Sequence, residues 1–167
     1  MRMPHILTAL LVVLSASAAH GQNRAAASGT CDLPHGSGVS SQRLMSGQRQ
    51  RAYRLFVPPG YDGHARLPLV LDLHGSGGSS EGQARNSGLE ALSASERFIV
   101  ATLDAEGGRW NVPVQSSRAD DVAYVGDVIA HVAAHVCTDE TRVYATGFSG
   151  GGRMSSLLGC QLGSRLA

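Results

Sequence analysis

Apolar and polar residues alternate from Gln50 to Val57. Arg51, Tyr53, Leu55 and Val57 fall on one side, Ala52, Arg54 and Phe56 on the other. This period of two predicts a half-buried strand, ended by the turn Pro58-Pro59-Gly60. Leu67 to Leu73 is a compact apolar run, interrupted only by Pro68 and Asp72, as suits a strand buried on both faces. Phe98 to Leu103 is a second such run. Between them, the stretch from Ser79 to Glu96 turns helical in its second half, where Leu89 and Leu92 lie three apart. Asp104 to Ala119 shows no period and reads as a loop. The clearest helix follows. Val122, Val125, Ile129, Val132 and Val136 recur every three or four residues on one face, with Asp120 placed to cap its start. Arg142 to Phe148 predicts another strand, and Gly150 to Leu162 another helix. Strands alternating with helices at this spacing imply βαβ units, hence an α/β fold with a mostly parallel sheet between two helical layers.

The two ends read differently. Residues 1–21 have the form of a secretory signal peptide. Arg2 and His5 precede the apolar run Ile6 to Leu14, which is too short to span a bilayer, and small residues follow it. Residues 22–48 are rich in Gly, Ser and Ala without periodicity and predict an irregular lead-in. The domain then occupies residues 49–167. An exported location, periplasmic or extracellular, permits disulfides among the three cysteines. Cys137 and Cys160 flank the last predicted strand and helix and are the expected pair, which leaves Cys31 without a partner.

Composition narrows the chemistry. All 14 basic residues are arginine against 13 acidic ones, and lysine is absent. This excludes a phosphate-binding P-loop and Schiff-base catalysis, which both need a lysine amine. A balanced charge also argues against nucleic acid as a partner. His131 and His135 share a helix face, but Val132 stands where a zinc peptidase has its glutamate, so no metal is expected. The glycines carry no dinucleotide fingerprint, and no cofactor is implied.

Gly147-Phe148-Ser149-Gly150-Gly151 matches the nucleophile elbow G-x-S-x-G. The pattern alone is weak. Gly78-Ser79-Ser80-Glu81-Gly82 matches it too. Only Ser149, however, has a strand running straight into it and a helix directly behind. In acyl transfer the tetrahedral oxyanion is met by the amide after the nucleophile and by one from a loop after an earlier strand. Gly150 is the first candidate donor. Ser76, in His74-Gly75-Ser76-Gly77-Gly78, is the second. His74 is read as ordering that turn, not as a base.

Taken in order, these motifs resemble a known family. They are Tyr53-Arg54-Leu55-Phe56-Val57-Pro58, Leu71-Asp72-Leu73-His74-Gly75, Gly108-Arg109-Trp110-Asn111, Asp120-Asp121-Val122 and Arg142 through Gly151. Together they are similar to the secreted α/β-hydrolases of the polyhydroxybutyrate depolymerase and feruloyl esterase group, over roughly residues 50–167. The resemblance implies an α/β-hydrolase fold and hydrolysis of a carboxylic ester. The substrate would be a plant cell-wall phenolic or acetyl ester, or a polyester. Ser149 would be the nucleophile and Ser76 and Gly150 the oxyanion donors, with Trp110 either at the rim of the substrate pocket or, equally, in a packing role. It also implies an Asp and a His downstream of the serine, whereas no aspartate follows Asp139 and no histidine follows His135. The expectation is an incomplete domain that ends after the elbow helix, weakly active alone and exposing the edge of its last strand. Two other readings fit the same residues: a non-catalytic polysaccharide- or polyester-binding remnant, and a serine peptidase of the same fold.

Overall fold

The computed structural model describes residues 30–167, so the signal peptide reading lies outside the described residues. Five strands form one mixed sheet. They are β1 (Gly38–Ser46), β2 (Arg49–Val57), β3 (Leu67–Leu73), β4 (Ile99–Leu103) and β5 (Thr138–Gly147), in the spatial order β1-β2-β4-β3-β5. The β1–β2 and β2–β4 pairs are antiparallel, and β3 runs parallel to both β4 and β5. Three helices lie between strands, α1 (Ser80–Ser87), α2 (Leu89–Glu96) and α3 (Asp121–His135), and α4 (Gly150–Gln161) follows β5.

The alternation in β2 sorts as the pattern predicts, with Arg51, Tyr53, Leu55 and Val57 buried. Leu69, Leu71 and Leu73 of β3 are wholly buried, as a central strand requires. Asp120 caps α3 by accepting the Ala123 amide at 2.9 Å, and Val125, Ile129 and Val132 enter the core. The helical signal before β4 is two helices, broken at Gly88, whose φ of 66° an L side chain seldom adopts. The first of these, α1, is too polar to show an apolar face in the sequence.

Two expectations need correction. Residues 22–48 are not irregular throughout, because β1 pairs with β2 along its length through a hairpin at Gly47. The strand was hidden because its apolar residues point the wrong way. Val39 and Met45 face solvent, while Ser40, Gln42 and Leu44 take the half-buried side. The disulfide joins Cys31 to Cys137, not Cys137 to Cys160, and Cys160 is free and exposed on α4. The chain before β1 lies along the turn before β3, where Leu33 N–H donates to Gly63 O at 3.0 Å and Tyr61 Oη–H to Leu33 O at 2.7 Å. That puts Cys31 beside Cys137 with Cα atoms 5.8 Å apart. β5 is the edge strand of the described sheet and pairs only with β3, while the Ala167 amide donates to Val143 O at 2.8 Å.

Candidate active site

Ser149 stands at the crossing of β5 and α4 with φ 49° and ψ −107°, a conformation costly for any residue with a Cβ. What holds it there is close packing behind it. A Cβ on Gly151 would lie 2.0 Å from Leu73 O, and one on Gly147 would lie 2.6 Å from both Leu73 O and Gly151 C. Phe148 N–H also donates to Leu73 O at 3.1 Å, and Gly151 N–H to Phe148 O at 2.8 Å. Thus β3, the strand end and the helix start touch backbone to backbone, and the serine is pushed outward, where it is exposed. Such an over-determined turn is how a protein retains local strain at a site.

The glycine after the serine faces the second predicted element. A Cβ on Gly150 would lie 2.7 Å from Ser76 Oγ and 3.2 Å from Ser76 N. The structure therefore brings Ser149, Gly150 and Ser76 together. Among the described residues neither the Ser76 nor the Gly150 amide finds an acceptor in the chain. Two unpaired amides side by side at a helix N-terminus are suited to receive a developing oxyanion. A cleft of about 270 Å³ opens over this loop, bounded by Ser76, Asn86 and the exposed Phe148.

The loop carrying Ser76 is held from below. His74 is buried, its Nδ1 bonds Gly75 O at 2.7 Å, and its Nε2 accepts the Ala105 amide at 3.0 Å. That pairing uses one donor and one acceptor, as a neutral imidazole provides, and leaves neither nitrogen for Ser149. Of the two places open to Trp110, the pocket rim and the packed interior, it takes the second. It is 4% exposed, its indole packs on the His74 ring, and Nε1–H donates to His74 O at 2.8 Å. An aromatic with its one donor satisfied inside the core acts on the loop and not on a ligand.

Sequence reasoning missed the support of the loop that carries Trp110. Arg51 is buried and pairs with Asp121 at 2.7 Å, while its guanidinium lies 3.8 Å from the Tyr124 ring centre. The other Asp121 oxygen accepts the Asn111 amide at 2.7 Å. Asn111 in turn bonds Gln115 and Ala119. A signal existed: Arg51 sits in the apolar phase of its strand, and a buried guanidinium needs an acid. His131 shares a 2.8 Å hydrogen bond with Tyr53, and burial lowers its pKa. No group of three or more metal-ligating side chains occurs among the described residues.

No family model matches the chain. It is 34% identical over 114 residues to feruloyl esterase B of Piromyces equi, covering 66% of this chain and 21% of that protein. It is 32% identical over 116 residues to feruloyl esterase C of Emericella nidulans, covering 66% of this chain and 41% of that one. Among solved structures, the feruloyl esterase module from Clostridium thermocellum superposes with a TM-score of 0.65 at 16% identity, over 81% of this chain and 53% of that chain. An acetyl xylan esterase from Aspergillus awamori gives a TM-score of 0.65 at 18% identity, over 77% of this chain and 49% of that one. The chain spans between 21% and 55% of the curated relatives it matches. With a parallel core, a serine elbow entering a helix and these neighbours, the chain has the α/β-hydrolase fold, and its sequence is similar to feruloyl esterases.

Proposed function

We propose that this chain carries the nucleophile and the oxyanion site of an exported carboxylic ester hydrolase. The single observation behind this reading is the junction itself, where a strained, exposed Ser149 precedes Gly150 and Gly150 lies against Ser76. Ser149 Oγ adds to the ester carbonyl carbon, and the oxyanion is met by the Ser76 and Gly150 amides. The C–O bond to the alcohol then breaks, leaving an acyl-serine. Water repeats the addition and releases the acid. No cofactor enters these steps. The serine proton needs a base, and the resemblance places the Asp and His downstream of Ser149, where these residues hold neither. The relatives' names favour a phenolic or acetyl ester on a cell-wall polysaccharide as substrate. The Cys31–Cys137 bridge fits an oxidising compartment, and no described helix is long and apolar enough to cross a membrane.

Assayed as these 167 residues alone, without the Asp and His that the resemblance places downstream, the site should work only at the residual level of binding and oxyanion stabilisation, on the order of 10³–10⁴ over water. Both acylation and deacylation are slowed. A reactive ester such as 4-nitrophenyl acetate should therefore leave acetyl on Ser149 that persists. Peptide mass spectrometry after incubation is expected to show acetylation at Ser149 well above the exposed Ser79, and none there in Ser149→Ala. Equal acetylation of the exposed serines, or turnover indifferent to Ser149→Ala, would refute the reading.

A further inference from the structure

We infer that Asp104, at the exit of β4, is a positioning residue for the oxyanion loop 75–79. This rests on the reading of Ser76 and Gly150 as oxyanion donors. The loop leaves β3 at Leu73 and re-enters regular structure at Ser80, and the segment after β4 holds it at three points. At its entrance, His74 Nε2 accepts the Ala105 amide at 3.0 Å and His74 O accepts Trp110 Nε1–H at 2.8 Å. In its middle, the Gly77 amide donates to Gly108 O at 2.7 Å. At its exit, Asp104 takes both donors of Ser80, the amide on Oδ1 at 2.6 Å and the hydroxyl on Oδ2 at 2.7 Å.

Of the three, only the exit contact is ionic and two-pronged, and such bonds are shorter and stiffer than neutral ones. Asp104 is not the helix's own cap. That part belongs to Ser79, whose Oγ accepts the Gly82 amide at 3.2 Å. Asp104 instead ties the start of α1 to a different part of the fold. Its amide donates to Ala52 O at 3.3 Å, and its carbonyl accepts Arg51 Nη2 at 3.1 Å, the nitrogen that also pairs with Asp121. The carboxylate thus connects the loop to the sheet and to the buried ion pair. With the exit free, the Gly77–Gly108 bond alone holds the span between His74 and Ser80, and the Ser76 amide next to it loses its fixed place relative to Gly150. An oxyanion donor acts only within hydrogen-bond distance, so a displacement of about 1 Å suffices to lose much of its effect.

The test uses the full chain and 4-nitrophenyl acetate, reading the ratio of acetyl on Ser149 to acetyl on Ser79. Asp104→Ala should lower that ratio about tenfold or more at temperatures where circular dichroism shows the fold intact. Asp104→Asn should fall between, since its amide oxygen still accepts the Ser80 amide but the charge is gone. Ser80→Ala, which keeps the amide bond and loses the hydroxyl bond, should also fall between. A folded Asp104→Ala with the wild-type ratio would overturn the inference. Should that variant not fold, unchanged ratios in both Asp104→Asn and Ser80→Ala overturn it equally. A wild-type chain that shows no preference for Ser149 is a separate failure, one of the nucleophile reading itself.

Discussion

The chain contains the same five-residue pattern twice, and the two copies fold differently. Gly78-Ser79-Ser80-Glu81-Gly82 and Gly147-Phe148-Ser149-Gly150-Gly151 both follow a parallel strand and both open a helix. In the second, the strand runs directly into the serine, the helix starts at once, and the turn is strained. In the first, a loop intervenes. Ser79 caps α1 from an ordinary extended conformation (φ −144°), and Ser80 is buried with both donors spent on Asp104. Only what the backbone packs against separates them. The elbow is pressed onto Leu73 by backbone contacts at Gly147 and Gly151, whereas α1 rests on its strand through side-chain hydrogen bonds. A serine exposed by packing keeps its hydroxyl for chemistry. A serine used as an anchor does not.

The last glycine of each motif separates the two most sharply. An alanine Cβ at position 151 would overlap Leu73 O at 2.0 Å and Leu73 C at 2.5 Å. Neither β3 nor α4 can withdraw without opening the junction. Gly151→Ala should therefore cost about 3 kcal/mol or more, or prevent cooperative unfolding altogether. Gly82 lies inside α1, and its Cβ would make an ordinary contact at 3.5 Å with Ser79 Oγ. Gly82→Ala should stabilise by about 0.5–1 kcal/mol through helix propensity. Denaturant titration of both variants tests the contrast, and similar effects at the two positions would dissolve it.

The serines themselves should respond in opposite directions. At φ 49° and ψ −107° Ser149 occupies backbone space that glycine tolerates and serine does not. Ser149→Gly should stabilise the fold by about 1–2 kcal/mol while removing the proposed nucleophile, the exchange expected where a site stores strain. Ser80→Gly removes a hydrogen bond to a carboxylate and should destabilise by about 1.5–3 kcal/mol. Thermal melts suffice to read the signs. A loss of stability in Ser149→Gly would mean that the turn is not strained as described.

Much of this was legible in the sequence. The elbow, its partner loop and the order of β2, β3, β4, α3 and β5 follow from periodicity and glycine placement, because those segments are buried in ways that leave an apolar period. What was not legible has in common that polar side chains or isolated contacts decide it. β1 carries Val39 and Met45 on the solvent side and Ser40 and Gln42 with Leu44 on the other, so its alternation gives no core-facing apolar period. α1 docks through Gln83 and Ser80 and has hardly any apolar stripe. The pairing of Cys31 with Cys137 depends on the segment before β1 meeting a turn 30 residues and more downstream, which no local spacing records. Trp110 was placed near the site by motif, but only the geometry shows that it faces the His74 carbonyl from inside.

The weakest of the polar contacts under α1 supplies the finest test. Asp72 is buried on β3, opposite Thr102 of β4 and Thr146 of β5 in the ladders. One of its oxygens accepts Gln83 Nε2 at 2.8 Å, and the other has no partner. Burial raises its pKa above the ordinary carboxylate value of 3.8. A group whose pKa is raised on folding binds more protons in the folded state over the interval between the two values. Its ionisation therefore opposes folding above the raised pKa, and the opposition fades as pH falls towards 3.8. Asp72→Asn keeps an oxygen for Gln83 and removes the charge. At neutral pH it should raise Tm by a few degrees at most, and the advantage should shrink on acidification until the two proteins melt together. A gain independent of pH, or a loss at neutral pH, would show that the second oxygen is compensated after all and that α1 is anchored as firmly as the elbow helix.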